Sequence, residues 1–276
     1  MRQSKKEWGL VREWDATLYE GLSSPQTRWG ASLLERVALR GDEAAIDAGC
    51  GTGRVTELLL ERLPEGTVLA VDGSRAMVEA ARSRFAGEPR VRVECRDLTL
   101  LEVAEPVDLV FSTATFHWIK DHDNLFRRLA EALKPGGRLV AQCGGEGNIS
   151  RATEAAREVM DEDRYRECFE GFSDDKHYAG VAATESRLEA AGFVDAEVWT
   201  HEEPTPFGSV EELACFLATV VLGGHLPRLQ EEDREPFAAA VAEKVATKTA
   251  EETGEDVPVL DYVRLNMMAS GSGHDA

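Results

Sequence analysis

Short apolar runs alternate with helically spaced apolar positions along the first half of the chain. The segments 44–48, 67–71, 90–95, 107–112 and 137–143 read as buried strands. Between them, apolar residues recur at helical intervals over 54–63, 74–85 and 122–133. Alternation at these lengths predicts parallel βαβ units and a doubly wound α/β sheet. Before the first strand, Trp14, Leu18, Trp29, Leu33, Leu34 and Val37 fall roughly at helical spacing, so the chain reads as helical up to about residue 40.

The second half departs from that rhythm. Gly144-Gly145-Glu146-Gly147-Asn148 interrupts it, and the polar stretch from 149 to about 180 reads as helical. A helix over 183–191, ended by Gly192, a strand over 193–199, a helical stretch over 209–250 and a last strand over 260–268 follow. The expected organisation is an N-terminal helical cap at 1–40 and one α/β domain at 41–276, with helical insertions at about 147–180 and 205–255. The insertions and the cap would roof a pocket at the C-terminal ends of the strands, where open α/β sheets bind ligands.

One stretch carries most of the chemistry: Asp47-Ala48-Gly49-Cys50-Gly51-Thr52-Gly53, between the first strand and the first helix of the sheet. Strand, glycine turn and helix start in succession let the backbone approach a nucleotide-like ligand where side chains would collide. Asp72 ends the run Val68-Leu69-Ala70-Val71, 19 residues beyond Gly53, where a strand-end acid meets ribose hydroxyls. Asp47 at the first strand end would repel a pyrophosphate and suits a ligand with an amino group.

The pattern DxGCGTG resembles motif I of the class I S-adenosylmethionine-dependent methyltransferases. The resemblance continues in order through Val71-Asp72-Gly73-Ser74 with Met77, Cys95-Arg96-Asp97-Leu98, Asp108-Leu109-Val110-Phe111-Ser112 and Leu133-Lys134-Pro135-Gly136-Gly137-Arg138-Leu139. It implies a Rossmann-like sheet of seven mostly parallel strands, with an antiparallel last strand, and S-adenosylmethionine as cofactor. It also implies roles. Asp47 would face the methionine amino group, Gly49, Gly51 and Gly53 would let the cofactor lie close, and Asp72 would accept both ribose hydroxyls. Gly73 or Met77 would pack on adenine, Asp97 would take its exocyclic amine, Leu98 would offer its N–H to the ring, and Ser112 would stand at the cofactor.

His117-Trp118, after Phe111-Ser112-Thr113-Ala114, resembles the pair found in the trans-aconitate and malonyl-carrier-protein methyltransferase group. Trp14 to Tyr19, with Gln26, resembles the N-terminal cofactor cap of the same relatives, which makes Tyr19 and Gln26 cofactor candidates. Trp118 is expected to wall the pocket. His117 has three open roles: general base, donor to a substrate carboxylate, or satisfied buried histidine. The Asn/Asp-Pro-Pro-aromatic motif of nucleic-acid amino methyltransferases is absent from this position, which argues against methylation of base amines.

The resemblance implies methyl transfer to a small-molecule acceptor, with O-methylation of a carboxylate the leading expectation. Arg151, nearest the end of the fifth strand, is the first candidate to grip it, because a guanidinium matches a carboxylate in two places. Arg157, Arg164, Lys176, His177 and Tyr178 stand in the same expected roof. The alternatives are methylation at carbon or a phenolic oxygen, for which His117 would have to act as base, and a module that holds the cofactor without turnover.

Composition narrows the partners. A formal net charge of −20, with no lysine- or arginine-rich patch, disfavours nucleic acid. Five scattered cysteines without a CxxC pair read as free thiols and give no zinc signature. No apolar signal core follows the first seven residues, and the longest apolar stretch, 216–226, is interrupted by Gly223-Gly224-His225 and is too short to span a bilayer. A cytoplasmic protein without a membrane partner is the expectation.

Overall fold

A computed structural model describes residues 24–254 and 256–272. Its centre is one seven-stranded sheet in the order β3-β2-β1-β4-β5-β7-β6. Strands β1 (Ala44–Ala48), β2 (Thr67–Asp72), β3 (Val91–Cys95), β4 (Val107–Thr113) and β5 (Leu133–Gly144) are parallel. Strand β7 (Val259–Gly271) runs antiparallel to both β5 and β6 (Phe193–Pro206). The chain is thus an α/β Rossmann-like fold.

Helix α1 (Ser24–Glu35) and helix α2 (Arg54–Arg62) cover one face of the sheet, where Leu33, Leu34, Leu59 and Leu63 pack on Ala45, Val68 and Phe111. Helix α3 (Arg75–Arg84) follows β2, and its Met77, Val78 and Ala81 are buried. On the opposite face, helix α4 (His122–Glu131) and helix α6 (Val181–Ala190) bury Leu125, Phe126, Leu129 and Leu188 against Ile46, Val110, Leu139 and Leu265. Covering both faces is what allows the central strands to be apolar without interruption.

A third core lies in a helical lobe. Helix α5 (Ser150–Met160), helix α7 (Val210–Phe216) and helix α8 (Glu231–Thr253) pack Ala155, Val159, Leu213, Phe216, Phe237, Val241 and Val245 around Trp29 and Tyr262. Between α5 and α8, Lys248 lies 2.8 Å from Glu158 and Lys244 lies 3.6 Å from the same carboxylate. Such exposed pairs add register more than stability.

The lobe departs from the expected helices. The stretch 149–180 holds only α5 and a 3₁₀ turn at Arg166–Phe169 before running on without regular structure. The stretch 209–250 breaks after α7 into a π-turn at Leu217–Val221 and a 3₁₀ turn at Leu226–Arg228 before α8 begins. Strands β5, β6 and β7 are longer than 137–143, 193–199 and 260–268, because paired backbone continues to Pro206 opposite Val259. Among the described residues, no helix is long and apolar enough to cross a membrane.

Candidate functional site

The strand order reverses between β1 and β4, and the crevice at such a switch point is where a doubly wound sheet binds ligands. A cavity of about 700 Å³ opens there, lined by the turn after β1, the ends of β2 and β4, the segment 174–178 and the lobe. That size suits a cofactor together with a small acceptor.

The glycine turn forms one wall. Gly49 and Cys50 donate their N–H groups to the Val71 carbonyl at 2.8 and 3.0 Å, which ties the turn to β2. Gly49 and Gly51 have φ of +88° and +54°, in the left-handed region that favours glycine. At Gly49 a Cβ would run into the Thr115 side chain, whereas at Gly51 it would meet nothing within 4 Å. Gly51 therefore faces open cavity.

Asp72 stands at the next strand end. Its carboxylate accepts from Gly51 N at 2.9 Å and Ser74 N at 2.8 Å, which joins the turn to the start of α3. Asp97 accepts from the N–H and hydroxyl of Thr99 at 2.9 and 2.8 Å and so caps the turn Leu98–Leu100. Asp72, Gly73, Met77, Asp97 and Leu98 all line the cavity. Asp47 lies beneath the turn, 1% exposed, and accepts from the Thr56 hydroxyl at 2.6 Å. Burial pushes its carboxyl up to about 7, and the nearby Asp72 charge adds to the rise.

The far end of the cavity is aromatic and cationic. Arg264, in the middle of β7, is 2% exposed, with its guanidinium 4.2 Å above the Trp29 ring. Its Nε donates to Gln142 Oε1 at 3.3 Å, and Gln142 donates in turn to Asn266 at 2.8 Å. Trp29 meets Tyr262 edge-on at 4.9 Å between ring centres. His117 is buried in the turn Phe116–Trp118, and its ring centre lies 5.7 Å from that of Tyr178.

Gly144 N donates to His117 Nδ1 at 3.2 Å, so Nδ1 uses its lone pair and the proton of the neutral ring is assigned to Nε2. Burial, then the charges of Arg264, Lys176 and His122, hold this imidazole well below its ordinary pKa. Neutral His117 is built to donate a hydrogen bond. It is poorly built to take a proton.

Residues 45–137 match the family model for a methyltransferase domain. A trans-aconitate 2-methyltransferase of Acidovorax ebreus is 39% identical over 132 residues, and that match spans about half of each protein, 48% of this chain and 50% of the relative. A trans-aconitate 2-methyltransferase of Rhizobium etli is 30% identical over 261 residues, covering 93% of this chain and 98% of the relative. The chain belongs to the class I S-adenosylmethionine-dependent methyltransferases, in the trans-aconitate methyltransferase group. Its fold is shared with Haemonchus contortus phosphoethanolamine N-methyltransferase 2, solved with phosphomonomethylethanolamine and S-adenosylhomocysteine, at a TM-score of 0.60 and 20% identity over 94% of this chain and 57% of that one.

S-adenosylmethionine is the cofactor of this family, and the residues present fit it. The open face of Gly51 and the strand-end carboxylate of Asp72 bound one cavity, with apolar Met77 and Leu98 beside them. Gly51→Ala is expected to fold, since its Cβ meets nothing and a left-handed alanine costs about 1–2 kcal/mol. The added methyl would stand in the cofactor's space, so the dissociation constant should rise about tenfold or more, read by calorimetry. An unchanged constant would mean the cofactor does not approach the turn.

Not every candidate reaches the cavity. Arg151 does not line it: its Nε lies 2.7 Å from Glu252 of α8, and its N–H bonds Asp261. Ser112 is turned inward, its hydroxyl donating to the Ala48 carbonyl at 2.6 Å, which ties β4 to β1. Gly53 stands at the start of α2 against the Phe85 ring. Tyr19, like Trp14, lies outside the described residues, and so does the side chain of Gln26. Of the roof candidates, Lys176 and Tyr178 line the cavity, while Arg164 pairs with Asp233. Arg264 and Trp29 were missed as site residues. An arginine set between Val263 and Leu265 in an apolar strand was the available signal.

Proposed function

We propose that this methyltransferase transfers the methyl group of S-adenosylmethionine to a carboxylate oxygen of a small organic acid. One observation carries it: the acceptor end pairs a buried cation, Arg264, with a histidine whose Nδ1 is occupied and whose charge is suppressed. That equipment orients an anion and offers no base. The trans-aconitate 2-methyltransferase names of the relatives support the same acceptor chemistry.

The cofactor half follows the family motifs. Asp72 accepts the ribose hydroxyls, Gly73, Met77 and Leu98 hold adenine, and Asp97 takes its amine. Asp47 attracts the methionine ammonium from beneath Gly49 and Gly51. Tyr19 and Gln26 contribute the cap over the cofactor, while the rest of α1 is fixed on the sheet through Leu33 and Leu34, and the two helical insertions roof the acceptor. The bound sulfonium supplies the methyl group: an oxygen lone pair forms the C–O bond while the C–S pair passes to sulfur. An ionised carboxylate is already the nucleophile, so no proton moves, and alignment does the work. Arg264 holds the carboxylate, His117 donates to it through Nε2, and Trp118 walls the path.

The test is S-adenosylhomocysteine release with a panel of carboxylic acids, phenols and acyl thioesters. Carboxylic acids are expected to react, at a rate flat from pH 6 to 8 with saturating cofactor, and His117→Gln should retain most of it because glutamine still donates. Activity on phenols alone, falling by about 10²–10⁴ in His117→Gln, would replace this reading with a base-dependent one.

A further inference from the structure

Tyr178 stands at the acceptor end of the cavity, its ring stacked beside that of His117 with 5.7 Å between centres. The ring lies against Gly144, where a Cβ would come within 2.7 Å of Tyr178 Cε1 and 2.8 Å of Asn148 Nδ2. Only glycine admits that approach. The N–H of the same glycine donates to His117 Nδ1, so Gly144 seats the histidine, the tyrosine and the asparagine together.

Asn148 is held firmly enough to orient a partner. Its N–H donates to the Gly145 carbonyl at 3.0 Å, and its Oδ1 accepts from Val263 N at 3.0 Å. The next residue, Ile149, is β-branched yet has φ of +49°, a costly conformation that persists only where the surroundings impose it. With Oδ1 committed to Val263, the Asn148 amide acts on the Tyr178 hydroxyl as a donor. A hydroxyl that accepts there keeps its proton to give, and among the described residues no hydrogen bond takes it. Burial pushes the phenol above its ordinary pKa against the pull of Asn148, so Tyr178 stays protonated. It is a donor and no base.

Resting on the carboxylate reading above, we propose that the Tyr178 hydroxyl, aimed by Asn148, donates to the acceptor carboxylate beside the Nε2–H of His117, which makes Tyr178 a catalytic residue. Neutral donors suit this reaction. The charge of the carboxylate is lost as the C–O bond forms, so contacts that fix geometry carry into the transition state more fully than charge does. A carboxylate accepts about four hydrogen bonds, so both donors can be satisfied while a lone pair remains for the methyl group.

The experiment compares wild type with Tyr178→Phe, which keeps the ring against Gly144 and His117 and removes only the O–H. The substrate is whichever of a panel of unsaturated mono-, di- and tricarboxylic acids wild type methylates fastest. Its kcat/KM is expected to fall about 10- to 100-fold, as for loss of a hydrogen bond to a charged group, with Tm and S-adenosylhomocysteine affinity unchanged. Calorimetry on the S-adenosylhomocysteine complex should show the acid bound about tenfold or more weakly, and its neutral methyl ester only about threefold. A pocket that had merely loosened would weaken both alike. Asn148→Ala, which releases the hydroxyl without removing it, should show the same bias against the acid at smaller size, and it decides the matter should Tyr178→Phe not fold. Unchanged kcat/KM in folded Tyr178→Phe, or equal weakening of acid and ester, overturns the role of Tyr178 while leaving carboxylate methylation standing. Methylation of phenols by wild type with no acid accepted overturns the carboxylate reading, and the role of Tyr178 with it.

Discussion

Asp72→Ala is expected to weaken S-adenosylmethionine binding by about 2–4 kcal/mol, roughly 30- to 1,000-fold in dissociation constant, since each hydrogen bond to a charged group is worth about 1.5–3 kcal/mol. The carboxylate stands at the end of β2 on the cavity wall, oriented by Gly51 N and Ser74 N. A carboxylate accepts about four hydrogen bonds, so those two N–H groups do not exhaust it. On the proposed assignment the two ribose hydroxyls also donate to it. Because the same oxygens tie the glycine turn to α3, some of the loss will come from a looser turn. Melting separates the two: a variant with near wild-type Tm and a large calorimetric loss has lost ribose contacts. Unchanged affinity in a folded variant would remove the ribose assignment.

The cofactor half of the site was legible because its geometry is local. Gly49 is required by Thr115, Asp72 ends a strand, and Asp97 caps a turn two residues on, so spacing along the chain determines position. The acceptor half is built by packing between distant segments. Arg151 is near the end of β5 in sequence, yet α5 carries its side chain to Glu252, 101 residues away. Arg264 was hidden for the opposite reason. A charged residue in a strand ordinarily marks a solvent face, and contacts from distant segments, among them Trp29 from α1 and Gln142 from β5, make its burial tolerable.

The end of β6 shows a similar limit. Glu202, Glu203, Pro204 and Pro206 argue locally against a strand, but on an edge the prolines need donate nothing, and β7 supplies the pairing. The π-turn at Leu217–Val221 left no period in the sequence to read, and it is the element that presents Val221 to Lys176.

Asp47→Asn should stabilise the free protein while impairing it, which separates charge at the turn from packing. Burial pushes the folded carboxyl up from 3.8 to about 7, so folding favours its protonated form. A group raised on folding contributes its full stability below the unfolded pKa and loses it as pH rises through the folded one. The deficit of wild type therefore grows from about pH 4 to pH 7 and then levels, at about 1.4 kcal/mol per unit. Asparagine carries no charge, and its Oδ1 can still accept from Thr56 Oγ1. Its advantage should be absent near pH 4 and reach about 2–4 kcal/mol at pH 8, seen in paired melting curves. Cofactor binding should move the other way. On the proposed role an ionised Asp47 attracts the methionine ammonium, so wild-type affinity should climb as pH rises to about 7, whereas the variant should bind about tenfold or more weakly at pH 8 with no such climb. Equal affinity for the two proteins across this range would mean that the charge of Asp47 does not act on the cofactor, and a variant that melts lower at pH 8 would mean that the buried carboxylate is held by more than Thr56.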